Sequence, residues 1–144
     1  MKKTALVVVI LIAAVAGYLY FTGRYRGIPW LAAPTPLSDS TMVLSEPWPG
    51  ERVTSPLTVR GQARGTWYFE ATFPVVLEDA AGNVLVQTPA RAQSDWETTD
   101  FVPFQATLTF TAPAAGTHGT LILKKDNPSG LPQNDDSREI PVLF

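Results

Sequence analysis

From Thr41 to the last residue, apolar and polar positions alternate with a period of two, the mark of strands with one dry and one wet face. In "PLTVRGQAR", residues 56 to 64, Leu57, Val59, Gly61 and Ala63 share one face while Thr58, Arg60, Gln62 and Arg64 share the other. The run from Trp67 to Glu78 repeats the pattern with larger side chains. Trp67, Phe69, Ala71, Phe73, Val75 and Leu77 fall on its dry face, and Tyr68, Glu70, Thr72, Pro74, Val76 and Glu78 on its wet face. Phe69 is therefore predicted in the core and Glu70 in solvent. "FQATLTFTA" turns Phe104, Ala106, Leu108 and Phe110 inward. Shorter runs at 42 to 47, 83 to 93 (interrupted near Pro89), 119 to 126 and 138 to 144 bring the predicted strands to seven. "EDAAGN" reads as a turn with Gly82 in a left-handed position, and "SDWETTDFVP", residues 94 to 103, as a polar loop. Pro141 has no N–H for a ladder, which predicts an edge or a partly unpaired position in the last strand.

The period disappears at the other end. Thr4 to Gly23 is a run of 20 residues without a charge, enough for roughly 30 Å of helix, the thickness of a bilayer's hydrocarbon core. Lys2 and Lys3 precede it, and Tyr18, Tyr20, Phe21, Tyr25, Arg24 and Arg26 cluster at its far end, as interfacial aromatics and stop charges do. The predicted organisation is a short cytoplasmic N-terminus (1–3), a transmembrane signal-anchor helix (4–23), a Pro- and Ser-containing linker (24–40) and a β domain (41–144) outside the cytoplasm. The competing reading is a secretory signal cleaved near Ala16, because Ala14-Val15-Ala16 has the spacing that signal peptidases accept.

Charge sharpens this division. Four of the eleven basic residues lie within the first 26, so residues 27 to 144 hold seven Lys and Arg against thirteen Asp and Glu, a net charge of −6. Such a body repels phosphate backbones, and nucleic acid is not an expected partner. Thirteen prolines and ten glycines favour strands and turns over helices. With no cysteine, disulfides, thiolate catalysis, Cys-based zinc sites and a lipidated cysteine all drop out, so any membrane tether must be the polypeptide itself.

Candidate chemistry is sparse. His118 is the lone histidine, placed in the "AAGTHGT" turn, and a triad or a histidine-based metal site needs more than that. Asp126, Asn127, Asn134, Asp135 and Asp136 are oxygen donors of the type calcium takes but lack the alternating ligand spacing of an EF-hand loop. Glu70, Glu78 and Asp79 sit on the wet series or in a turn, where nothing desolvates them as a glycosidase acid requires. No catalytic residue, metal or cofactor is expected. Trp48, Tyr68 and Trp96 remain as aromatics that the inward alternation does not need, and they are the candidate contact surface for a protein or cell-wall partner. Were the chain secreted, the same three would offer a stacking platform for carbohydrate or peptidoglycan.

Seven short half-buried strands in about a hundred residues predict an antiparallel sandwich. The segments "PWPGERVTSPLTVRGQAR", "FEATFPVVLEDAAGNVL", "FQATLTFTAP", "GTLILKKDNPSG" and "REIPVLF", spanning residues 43 to 144, resemble the immunoglobulin-like domain of bacterial spore germination. The resemblance implies an all-β, immunoglobulin-like, extracytoplasmic module, often membrane-tethered, and brings no catalytic residues with it. It also implies that the second and third strands lie in different layers, so that Arg60 does not face Glu70 across a hairpin. The expected function is a non-catalytic binding or scaffolding module of the bacterial envelope, anchored by its N-terminal helix.

Overall fold

A computed structural model describes residues 36–144. The predicted membrane span, the cleavage point near Ala16 and most of the linker lie outside the described residues. Among those described, no helix is long and apolar enough to cross a membrane. Seven strands form: β1 (Met42–Glu46), β2 (Leu57–Arg64), β3 (Thr72–Asp79), β4 (Val84–Ala92), β5 (Phe101–Leu108), β6 (His118–Lys124) and β7 (Ser137–Leu143). All pairings between them are antiparallel, in the order β1-β2-β5-β4-β3-β6-β7.

The sheet is curled, and the register shows where it bends. β2 and β5 pair along eight positions, from Leu57 with Leu108 to Arg64 with Phe101, whereas β4 and β5 share only Arg91 with Gln105 and Ala92 with Phe104. Beyond that short seam the two strands diverge, leaving one arm of β1, β2 and β5 and another of β4, β3, β6 and β7. The dry faces of both arms supply one core. Phe73 of β3 sits at its centre, edge-on to Phe104 of β5 with ring centroids 5.0 Å apart, and edge-on to Tyr68 at 5.1 Å and Trp67 at 6.0 Å. All buried side chains among the described residues are apolar or aromatic apart from the Tyr68 hydroxyl, which donates to the Val102 carbonyl at 2.8 Å.

The alternation predicts the buried face of β2 and β5 residue by residue: Leu57, Val59, Gly61, Ala63, Phe104, Ala106 and Leu108 are all buried. Gly61 lies opposite Phe104, and a Cβ there would stand 2.8 Å from Cζ of that ring, so the glycine makes room for the aromatic. Prolines do not break the strands as expected at Pro89. Pro74 of β3 pairs directly with Pro89 of β4, a position between ladder hydrogen bonds where neither residue needs an N–H toward the other. β5 also begins earlier than expected, at Phe101, which shortens the polar loop to residues 93 to 100.

The largest departure lies between β2 and β3. Trp67 to Ala71 do not continue the alternation: Trp67 and Tyr68 are both buried, and Phe69 and Glu70 are both exposed. The chain must cross from one arm to the other here, and a 3-10 turn over Gly65–Trp67 followed by a tight reversal makes the crossing. The Phe69 N–H donates to the Thr72 carbonyl at 2.9 Å and the Thr72 N–H to the Phe69 carbonyl at 3.0 Å, with φ of 48° at Glu70 and 62° at Ala71. Two successive positive φ values define a type I′ turn, which ordinarily takes Asn and Gly. Phe69, predicted in the core, is 43% exposed at this tip. Glu70 is in solvent as expected, but on a turn rather than on a strand face. Arg60 pairs with Glu46 at 2.9 Å and not with Glu70, in keeping with β2 and β3 belonging to different arms.

Both outer edges of the sheet are covered by the chain itself. Residues 37 to 39 fold back on β1, with the Leu44 N–H donating to the Leu37 carbonyl and the Asp39 N–H to the Met42 carbonyl, each at 2.9 Å. Along β7, the Gly50 N–H donates to the Pro141 carbonyl at 2.7 Å, the Leu143 N–H to the Glu51 carbonyl at 2.9 Å and the Val53 N–H to the Leu143 carbonyl at 2.8 Å. Pro141 thus occupies the edge strand, as predicted. A polar clamp joins the two edges. Arg138 of β7 donates to Asp39 at 2.6 Å, to Asp136 at 2.5 Å and to the Thr41 hydroxyl at 2.7 Å, with its guanidinium 5.2 Å from the Trp67 ring centroid. Partial burial alone would raise the pKa of Asp39, but hydrogen bonds from Thr41, Arg138 and the Met42 N–H outweigh it and hold the carboxyl well below the usual carboxylate range.

Two outcomes follow from this geometry. Ala71→Gly relieves a left-handed alanine and should raise stability by about 1 kcal/mol, while Phe69→Ala should cost less than about 1 kcal/mol, as an exposed substitution does; urea denaturation measures both. Because the folded-state pKa of Asp39 lies below its unfolded value of about 4, its contribution is complete above that pH and fades as pH falls toward the folded value. The stability difference between the wild type and Asp39→Asn should hold steady above about pH 5 and shrink below about pH 4. A difference that stays constant down to about pH 2 would contradict the clamp.

A candidate contact surface around Trp48

Between β1 and the cover of β7 the chain makes a short loop, "EPWPGER", and it is the most constrained exposed aromatic site in the body. Pro47 is buried beneath it, and Gly50 takes a φ of 78°, which closes the turn. The Trp48 N–H donates to Glu51 Oε2 at 2.6 Å, its indole Nε1–H to the Ser45 carbonyl at 3.0 Å, and the Glu51 N–H to the Trp48 carbonyl at 2.9 Å. The backbone of Trp48 is therefore held by Glu51 and its ring by the Ser45 carbonyl, while the residue remains 43% exposed. It lines an open concavity of about 490 Å³ together with Ser45, Glu46, Pro49, Gly50 and Glu51.

The three aromatics singled out from the sequence do not come together. Trp48 lies on the flank where the two sheet edges approach each other. Tyr68 lies beyond the end of β2, is 5% exposed and packs against Phe73 with its hydroxyl hydrogen-bonded inside, so it is a core residue and not part of a contact surface. The physical reason is the 3-10 turn, which sends two consecutive aromatics inward where an extended strand would have sent one. Trp96, in the loop from β4 to β5, is half-buried and packs against the core. Gly65 lets that loop approach, since any Cβ there would collide with the backbone of Thr98. A flat carbohydrate platform of Trp48, Tyr68 and Trp96 is consequently not assembled.

The remaining candidates resolve into ordinary roles. His118 is the first residue of β6, paired across from Leu143 and exposed, and not a turn residue as expected. Asp79 is occupied by its own turn: one carboxylate oxygen accepts from the N–H groups of Ala81 and Asn83 at 2.8 and 2.9 Å, the other from the Asn83 side chain at 2.9 Å. Those bonds, led by the Asn83 side chain, lower its pKa. In the loop before β7, Asn127 donates to Asp135 at 2.7 Å and to the Leu131 carbonyl at 2.9 Å, and Asn134 donates to Ser129 at 3.0 Å. Asn127 and Asp135 bond each other and Asp136 is held by Arg138, and among the described residues no group of acidic or histidine side chains is arranged to hold a metal.

An antiparallel sheet curled around an aromatic core, with its edges covered by the chain itself, defines an immunoglobulin-like β module. The family model for the immunoglobulin-like domain of bacterial spore germination matches residues 41–130, more than half of the chain, and the chain belongs to that family. The match ends before β7, which nevertheless completes the sheet beside β6. Comparison with curated proteins and with solved structures finds no match.

The division between core and surface tryptophans is measurable. Trp48→Leu should change stability by less than about 1 kcal/mol, whereas Trp67→Ala should cost about 3 to 5 kcal/mol, both read from urea unfolding midpoints. Equal losses would mean that the Trp48 ring belongs to the core.

Proposed function

We propose that this protein is a membrane-anchored, extracytoplasmic immunoglobulin-like module of the bacterial cell envelope that acts by binding or scaffolding a partner protein and not by catalysis. The observation that carries the anchoring is the uncharged stretch from Thr4 to Gly23, bounded by Lys2 and Lys3 on one side and by Arg24 and Arg26 on the other. The contact role is supported by where the polar chemistry lies. Carboxylates with a lowered pKa, Asp39 and Asp79, are committed to a clamp and a turn, and the core is apolar. What the body offers outward is a fixed aromatic ring and an acidic surface, both features of recognition.

Fractionation of cells expressing the full-length chain tests this reading. The protein should stay with membranes through a high-salt wash, keep its N-terminal sequence, and lose its β domain to protease added outside intact spheroplasts. Recovery in the soluble fraction, or a domain that is digested only after lysis, would refute the anchored, outward-facing arrangement.

A further inference from the structure

We infer that Trp48 and Glu51 form a subsite for a cationic side chain, lysine or arginine, presented by a partner protein; this specifies the ligand chemistry of the contact module proposed above. The Trp48 indole has already spent its N–H on the Ser45 carbonyl, so a ligand meets only the face of the ring. That face is the negative pole of the aromatic quadrupole and attracts ammonium and guanidinium groups. The residue is also restrained before any ligand arrives, its backbone by two bonds with Glu51 and its ring by the Nε1–H bond to Ser45, so less conformational freedom remains to be lost on binding.

The charges around the concavity favour the same ligand. Glu46 enters from β1 and is matched by Arg60 of β2 at 2.9 Å, leaving that pair neutral. Arg52, the next basic residue along the loop, directs its guanidinium to the Phe144 carbonyl. Glu51 holds the Trp48 N–H with Oε2, and among the described residues its Oε1 has no hydrogen-bond donor. The lining of the concavity itself carries Glu46 and Glu51 and no basic residue; with Glu46 matched by Arg60 and Arg52 turned to the Phe144 carbonyl, the Glu51 carboxylate is the charge left beside Trp48, the arrangement in which a cation gains both a π face and a counter-ion. At longer range, the net −6 of residues 27 to 144 draws basic partners toward the body. The concavity of about 490 Å³ has room for one long side chain, and it is open on the side from which a partner would insert it.

Titration of the full-length protein in detergent micelles with an oligolysine peptide, and with the same peptide acetylated on every Nζ, tests the subsite by calorimetry and tryptophan fluorescence. The lysine peptide should bind about tenfold or more tightly than its neutral twin, and Trp48→Leu and Glu51→Gln should each weaken it by about threefold to tenfold, the range expected for a cation over an exposed to partly desolvated ring. Glu51→Gln keeps an acceptor for the Trp48 N–H, and an unchanged urea midpoint in either variant separates lost recognition from lost folding. Glu97→Gln removes one negative charge elsewhere on the surface and should leave affinity within about twofold. Equal binding of the acetylated peptide, wild-type affinity in both site variants, or an equal loss in Glu97→Gln would overturn the subsite. Failure of the anchoring would show separately, as a soluble chain that still prefers the lysine peptide.

Discussion

Closure of the sheet around Phe73 is the constraint on which the rest of this structure depends. The seam between β4 and β5 amounts to two residue pairs, too few for backbone hydrogen bonds to set the relation of the two arms. That relation comes from side chains instead: Phe73 from one arm meets Phe104 from the other, and Trp67 and Tyr68 from the crossing segment pack against the same ring. Each such aromatic, buried, contributes about 1.5 to 3 kcal/mol, and each edge-to-face pair adds about 0.5 to 1.5. Surface ion pairs such as Arg60 with Glu46 add at most about 1 kcal/mol and cannot substitute for this core.

Curling brings the two outer strands of the sheet toward one another, and an open edge on either would be a site for unwanted strand pairing. The chain solves both edges with itself. Residues 37 to 39 cover β1, residues 50 to 53 cover β7, and Arg138 ties the two together through Asp39 and Thr41. The second cover has a geometric consequence: the segment must leave β1 and reach β7 within a few residues, which forces the tight turn at Gly50 and leaves Trp48 standing on its outer side. The exposed, hydrogen-bonded tryptophan is thus a by-product of edge protection, available for recognition because its position is already determined by something else.

Much of this architecture was legible in the sequence because strands with one dry face write their period directly into the chain. β2 and β5 follow it at every inward position, and the glycine of "EDAAGN" takes the left-handed φ, 81° at Gly82, that its place in the turn calls for. What could not be read were the places where the period ends without a polar interruption. "TWYFEAT" looks extended because aromatics alternate through it, yet the crossing between arms is a tertiary demand, and local sequence does not report it. Tyr68 misled for a related reason. Its place between Trp67 and Phe69 put it on the wet face of the alternation, but the turn sends it inward, where Val102 on β5 supplies a carbonyl that satisfies its hydroxyl, and that partner lies 34 residues away. Pro89 misled because a proline opposite a proline needs no ladder bond, a fact visible only once the β3–β4 register is known.

The left-handed residues at Glu70 and Ala71 invite comparison with the Trp48 loop, because both present an exposed aromatic on a tight turn. They differ in what holds the aromatic. At Trp48 the backbone, the indole and a neighbouring carboxylate are mutually bonded, and the one positive φ falls on a glycine, so rigidity comes without backbone strain. At Phe69 the restraints all fall on the backbone, from the two bonds of the turn, the Thr72 hydroxyl on the Phe69 carbonyl and the Ala92 N–H on the Ala71 carbonyl, and non-glycine residues occupy the left-handed region, each at a cost of about 1 kcal/mol or more. Backbone bonds fix the course of the Phe69 turn but leave its ring without the polar ties that Trp48 has. A preorganised contact needs the side chain fixed as well as the chain beneath it, and of these two loops only the one spanning Trp48 to Glu51 satisfies that condition.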